Sequence, residues 1–335
     1  MGMRAGLFFA STCALAQLNS KAKEEYFKNN LKVEIYTKSW EPVNVKPVAN
    51  LVFVHGFNDH INRYNHVFSS FAEEGIKVHA FDQVGCGQTG KRANNLGGAM
   101  GMERVKLDID DAIDRIDDKK TPLFLMGHSF GGATIVDYLA RGNKRSQVYG
   151  ALAAAPSFEL AAESQPSRIT VEAVKGTAII TPSLKLYRIT DPSSLSRNRT
   201  YIKEYANDPL NTSRWAAIQV RDAIVGGRYI MDGGYKTIKV PRLMIAHGSS
   251  DLVTNHATSE KLAETLKQQD PNTHVEYKLY PFAYHELHND IIQEDVIDDY
   301  ATWILNQLNN TNRPTISTPL HTLPRKPPIS NNTSL

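Results

Sequence analysis

The chain has 335 residues, 41% of them hydrophobic and 22% charged, with a formal net charge of +3. That suits one large α/β domain carrying an insertion, or two domains at most. No basic stripe interleaves with aromatics, which excludes nucleic acid as a partner. No run approaches the ~20 apolar residues of a membrane span. The two cysteines, Cys13 and Cys86, build neither a disulfide framework nor a Cys-rich metal site.

In chain order, Arg4 is followed by an apolar stretch of about ten residues and by Ala14-Leu15-Ala16, the pattern of a secretory signal peptide. A short amphipathic helix on the domain or on a membrane surface is the other reading. Residues 1–20 are therefore set apart. Cleavage after Ala16 would leave Cys86 as the sole cysteine and place the protein in the secretory pathway; without cleavage it would be cytoplasmic or membrane-peripheral. Asn-x-Ser/Thr sequons begin at Asn198, Asn211, Asn309, Asn331 and Asn332, acceptors in a secreted form.

Residues 32–37 alternate as a first strand, and the nearly all-apolar 50–55 suits a strand buried on both faces of a parallel sheet. Helix is expected over 62–73, strand over 77–81, and a turn-rich segment over 82–90. A helix over 102–117 places Val105, Ile109, Ala112, Ile113 and Ile116 on one face. Then come strand 123–127, helix 130–141 and strand 148–155. Further on are strands 242–246 and 274–279 and helices near 256–268 and 291–307. Alternating strands and helices predict a doubly wound, mostly parallel sheet formed by residues 21–155 and 237–311. Residues 156–236 break the rhythm, with helical patches at 169–180 and 214–225 and no clear buried strand. They read as a cap over the carboxyl ends of the strands, where such sheets bind ligands. Residues 312–335 are rich in Pro, Ser, Thr and Asn and read as a disordered tail.

Gly127-His128-Ser129-Phe130-Gly131 lies between the strand 123–127 and the helix 130–141. In that context G-x-S-x-G is a nucleophile elbow: a sharp turn strains the serine backbone and holds its hydroxyl above the sheet. The following helix start offers free N–H groups to an oxyanion. An activated serine needs a base and an acid that fixes the base's tautomer, in the chain order Ser, acid, His. Asp251 follows one strand and His285 another, so both fall on the same sheet edge as the elbow. His288 is the second candidate for the base, and His247 reads as strand-end packing. The oxyanion donors are the backbone N–H groups of Phe130 and of Phe57 in His55-Gly56-Phe57, with His55 bracing that loop. No metal or cofactor is expected, since the 11 histidines are scattered and Gly85-Cys86-Gly87 lacks the third glycine of a dinucleotide fingerprint. Cys86 reads as a small buried thiol near the site, open to thiol reagents.

Several segments resemble one family. His55-Gly56-Phe57-Asn58-Asp59-His60-Ile61-Asn62-Arg63-Tyr64 is similar to the H-G-x-x-(E/D)-H-x-x-R-Y signature of monoacylglycerol lipases and their lysophospholipase relatives in the α/β-hydrolase superfamily. Asp82-Gln83-Val84-Gly85-Cys86-Gly87-Gln88-Thr89 resembles their D-x-x-G-x-G-x-S turn, and Gly127 to Gly132 their G-H-S-M-G-G elbow. Asn207-Asp208-Pro209-Leu210 resembles a D-P-L element of their cap. Gly248-Ser249-Ser250-Asp251 and Ala283-Tyr284-His285-Glu286-Leu287-His288 match their acid and base segments. The resemblance implies an α/β-hydrolase fold, the triad Ser129, Asp251 and His285, and the oxyanion donors Phe57 and Phe130. It implies hydrolysis of carboxylic esters, most closely of monoacylglycerol, with lysophospholipid or a short ester next. The cap would then meet a membrane or lipid droplet. In this sequence Phe130 replaces methionine and Cys86 a histidine. Residues 171–180 are less hydrophobic than the family's docking cap. An aminopeptidase of the same superfamily and a silent hydrolase fold acting as a binding protein are the rivals. A dehalogenase or epoxide hydrolase would need an aspartate where Ser129 stands.

Overall fold

The computed structural model describes residues 20–187, 191–238, 242–270 and 273–309. The expected signal segment 1–16, Cys13, the sequons at Asn331 and Asn332 and the tail 312–335 lie outside the described residues. Eight strands form the main sheet: β1 (Ser20–Lys28), β2 (Glu34–Pro42), β3 (Ala49–Val54), β4 (Ile76–Phe81), β5 (Leu123–His128), β6 (Val148–Ala154), β9 (Arg242–Gly248) and β10 (His274–Tyr280). Their spatial order is β1-β2-β4-β3-β5-β6-β9-β10. The pairs β1–β2 and β2–β4 are antiparallel and every later pair is parallel.

Every residue of β3 and β5 is buried, as a parallel sheet covered on both faces requires. Side chains alternate between two cores. Val52, Val54 and Leu125 enter the core beneath α3 (Gly101–Asp114), α4 (Phe130–Arg141) and α9 (His256–Gln269), whereas Leu51, Phe53, Phe124 and Met126 enter the one beneath α1 (Asn65–Glu73) and α10 (Gln293–Asn309). This is the two-residue side-chain period of a strand read directly into packing.

The strand β1 escapes the sequence pattern. Its sequence SKAKEEYFK has no apolar alternation and most of its side chains are exposed. It is an edge strand held by one nine-pair register to β2, and charged residues on such an edge discourage further pairing. A second addition is α2 (Gly87–Arg92), set in the expected turn segment. Asp82 makes it possible, because its Oδ2 accepts the Gln88 N–H and its carbonyl accepts the Thr89 hydroxyl.

Between β6 and β9 lie α5 (Arg168–Ile180), α6 (Arg199–Asn207), α7 (Ala217–Val225) and α8 (Arg228–Met231). The absence of strand expected here is corrected by a two-stranded antiparallel ribbon of β7 (Lys185–Tyr187) and β8 (Arg214–Ala216), with Trp215 and Ala216 buried. Three residues per strand are too few to show alternation in a sequence. Ser167 caps α5 by accepting the Thr170 N–H, and Asn198 caps α6, in keeping with their residue preferences. Among the described residues no helix is long and apolar enough to cross a membrane.

Candidate active site

The chain leaves β3 toward β4 on one side and β5 toward β6 on the other. The loops after β3 and β5 therefore part at a topological switch point, where open α/β sheets bind ligands. Ser129 sits in the loop after β5 with φ 54° and ψ −117°, a sparsely populated conformation costing on the order of 1–3 kcal/mol. Neighbouring bonds hold it there: Ser129 N–H donates to the Ala154 carbonyl (2.9 Å), and the Ser129 carbonyl accepts from Ala133 N–H (3.0 Å) and Ser157 N–H (3.0 Å). A Cβ on Gly131 would run into the carbonyl oxygens of Val54 and His55. Only glycine lets the elbow pack against the end of β3.

The structure brings together three residues from three loops. Ser129 Oγ lies 2.9 Å from His285 Nε2, and His285 Nδ1 lies 2.8 Å from Asp251 Oδ2. All three are buried. Burial opposes charge on His285, but the Asp251 carboxylate outweighs it and holds the imidazole above its ordinary value. Burial likewise opposes charge on Asp251, and His285 and His247 hold it well below the usual carboxylate range. Its acceptor capacity is filled. Oδ1 takes the N–H groups of Val253 (2.7 Å) and Thr254 (2.9 Å), and Oδ2 takes the Thr254 hydroxyl (2.8 Å) besides His285.

His247 is more than strand-end packing. Its Nε2 lies 3.1 Å from Asp251 Oδ2 and its Nδ1 3.0 Å from Ser259 Oγ. The one hint in the sequence was its place four residues before Asp251, across a tight turn. His288 stands behind the site rather than against Ser129. It stacks on Tyr64 (4.7 Å) and lies edge-on to His128 (4.8 Å), and burial beside His128 keeps it well below its ordinary value. His128 is pushed down to about 3 by burial and by His285. His55 braces its loop: its Nε2 accepts the Gln83 N–H (3.1 Å) and its Nδ1 lies 2.9 Å from the Gly56 carbonyl.

Phe57 and Phe130 line one cavity of about 430 Å³ together with Ser129, Leu160, Leu195 and Val253. That volume lies in the range of small-molecule sites. The Phe57 ring packs on Trp215 at 4.8 Å. Gly56 approaches Ser129 so closely that a Cβ there would stand 3.3 Å from Ser129 Cβ. Phe130 is the first residue of α4, whose N-terminus carries no side-chain cap; the backbone N–H there is of the kind that stabilises anions. Cys86 packs with Ala99, Trp215 and Val220 under the Phe57 side of this cavity. It is 1% exposed and burial pushes its thiol up, so the expected access to thiol reagents is corrected: the reactive thiolate is disfavoured and shielded. Sequence reasoning gave no role to Arg63 and Glu286, which pair inside the protein at 2.9 Å. They are 223 positions apart, and no local pattern signals such a pair. Among the described residues no cluster of His, Cys, Asp or Glu could hold a metal ion.

A strained serine at the switch point of a mostly parallel sheet, with its histidine and aspartate arriving from later strands, defines an α/β-hydrolase. The sequence profile of the serine aminopeptidase S33 family (Hydrolase_4) matches residues 45–292, and the chain belongs to that family. Within it the chain is 32% identical over 279 residues to a protein named "Putative monoglyceride lipase" from Schizosaccharomyces pombe, covering 81% of this chain and 71% of that one. It is 27% identical to the monoacylglycerol lipase of Mycolicibacterium smegmatis, over 87% of this chain and 100% of that protein. The crystal structure of Paleococcus ferrophilus monoacylglycerol lipase superposes with a TM-score of 0.70 at 26% identity, covering 82% of this chain and 99% of that one.

Proposed function

We propose that the protein is a serine hydrolase of carboxylic esters that cleaves monoacylglycerol to glycerol and fatty acid. The observation that carries this reading is the hydrogen-bonded relay Ser129–His285–Asp251 opening into a half-apolar cavity of about 430 Å³. Ser129 attacks the acyl carbonyl as His285 Nε2 takes its proton, and Asp251 fixes the ring and stabilises the imidazolium. The N–H groups of Phe57 and Phe130 receive the oxyanion, each donor lowering the barrier by about 3 kcal/mol. His285 then protonates the departing glycerol oxygen and activates the water that releases the fatty acid. Residues 156–236 act as the cap that shapes the acyl pocket.

The head-group end favours glycerol over a phosphorylated head. The cavity lining includes Glu163 and Asp191, and among its described residues holds no lysine or arginine. An anionic leaving group would meet these carboxylates without a counter-charge. The cap also meets a lipid surface, as its exposed side chains suggest. Ile169, Ile179 and Ile180 on α5 are 83%, 78% and 80% exposed, and Leu184 and Tyr187 continue the exposure. Apolar side chains gathered in this way mark an interaction surface.

The test is hydrolysis of an ester panel by purified protein beside Ser129→Ala. The panel holds monoacylglycerols of several chain lengths, a lysophospholipid, a short p-nitrophenyl ester and an aminoacyl anilide. Monoacylglycerol preferred, with loss in the variant, is the expected result. Turnover of only the short ester or the anilide would overturn the substrate assignment.

A further inference from the structure

Three loops that meet around Ser129 are joined by one buried charge cluster. The Arg63 guanidinium spans both oxygens of Glu286 (3.0 and 2.9 Å), and its other arm pairs with Asp59 Oδ1 at 2.5 Å. The three side chains are 7%, 3% and 3% exposed. Glu286 is the neighbour of His285 in the chain. Asp59 reaches the other way, since its Oδ2 accepts the Gly56 N–H (3.2 Å) and the Tyr64 hydroxyl (2.6 Å). The insertion joins the same cluster. Tyr201 of α6 donates its hydroxyl to Glu286, and the Tyr201 and Tyr205 rings lie 5.1 and 4.6 Å from the guanidinium carbon. The Glu286 N–H donates to the carbonyl of Leu195 (2.8 Å), a residue of the cavity wall.

A buried ion pair of this kind adds little net stability, because desolvation consumes most of the attraction. What it supplies is geometry: the planar fork of arginine fixes two carboxylates at a set distance and angle. We infer that Arg63 is a positioning residue, holding the His285 loop, the Gly56-Phe57 loop and α6 in the one arrangement in which base, nucleophile and oxyanion donors align. This rests on the assignment of His285 as the base. Misplacement of such groups by about 1 Å costs on the order of a hundredfold in rate.

The test compares wild type with Arg63→Lys, which keeps the charge and loses the fork. p-Nitrophenyl butyrate is the substrate and a fluorophosphonate the probe of Ser129, so neither depends on monoacylglycerol being the natural substrate. The expected result is a kcat lower by about 10- to 100-fold with KM within about twofold, and labelling slowed by the same factor. An unchanged kcat with a lowered Tm would make Arg63 merely structural, and a loss confined to KM would make it a pocket residue; either overturns the inference. Where Arg63→Lys does not fold, Glu286→Gln reads the other arm of the fork at constant shape. A kcat lower by about tenfold or more is expected there, and an unchanged kcat overturns the inference. Wild type active on the nitrophenyl ester but not on monoacylglycerol would sink the substrate reading and leave this test intact.

Discussion

Replacing Asp251 with asparagine exchanges one carboxylate oxygen for an NH2 group and tests the relay at its least adaptable point. The carboxylate accepts five hydrogen bonds, two on Oδ1 from backbone N–H groups and three on Oδ2 from Thr254, His247 and His285. An asparagine must aim its NH2 at one of these sets. Aimed at Val253 N–H and Thr254 N–H, it leaves two buried donors unpaired, at about 1–3 kcal/mol each. Aimed at the other set, it is relieved because the Thr254 hydroxyl rotates and His247 changes tautomer. His285 must then carry its proton on Nε2, facing Ser129, and the base is lost. The second arrangement is the cheaper one. The expected loss in kcat is about 10⁴-fold, or about 5.4 kcal/mol of barrier, with KM within about twofold. The pH profile moves too. Activity requires neutral His285, so the acid limb of kcat/KM falls above pH 6.5 in wild type, where Asp251 raises the imidazole. Without that charge the limb shifts to lower pH. Stopped-flow and steady-state hydrolysis of p-nitrophenyl butyrate across pH 5–9 measures both. A loss under tenfold, or a limb that stays in place, would refute the reasoning.

Three further outcomes follow from the same geometry. Ser129→Gly removes activity and relieves the positive-φ strain, raising Tm by about 2–4 °C in thermal unfolding; a Tm at or below wild type would mean that the elbow is unstrained. Ile179→Asp combined with Ile180→Asp lowers binding to phosphatidylcholine vesicles by about tenfold or more in a flotation assay and leaves hydrolysis of a water-soluble ester unchanged. Equal vesicle binding by variant and wild type would remove α5 from the lipid contact. In a Cys13→Ser background, Cys86 reacts with a thiol-specific chromogenic reagent on the order of a hundredfold more slowly than in urea, and equal rates would show the thiol to be reachable.

What could be read from the sequence was what is local in the chain. The elbow around Ser129 is a contiguous strand–turn–helix pattern, and the segments holding Asp251 and His285 each follow a recognisable strand. The central strands β3 and β5 show themselves because burial on both faces makes them almost wholly apolar. The edge strand β1 carries no such signal, because one face and one side of it meet water and its pairing rests on backbone bonds to β2. The helix α2 has a poor intrinsic sequence, with two glycines in six residues, and forms because Asp82 supplies its first-turn acceptor from outside. His247 and Arg63 were undervalued for a different reason. Their partners are fixed by tertiary approach, and a buried charge pair leaves no periodicity to detect.

The ladder between β6 and β9 joins Ala151 to Leu243 and Ala154 to Ala246, so the strands on either side of the long insertion are already zipped together. Whatever shape that insertion takes, the distance between the serine elbow and the aspartate turn is set by the sheet beneath. Under the proposed function, the part of the insertion around α5 and β7 is a replaceable attachment that would set which acyl chain is admitted. Two seams limit this freedom, and along 157–164 the insertion is bonded to Ser129 and to the turn that carries Asp251. Along 195–201 it is bonded to the loop that carries His285. A graft that exchanged α5, β7 and the segment around them would retune selection, whereas one that crossed the second seam would carry the base out of register with its serine.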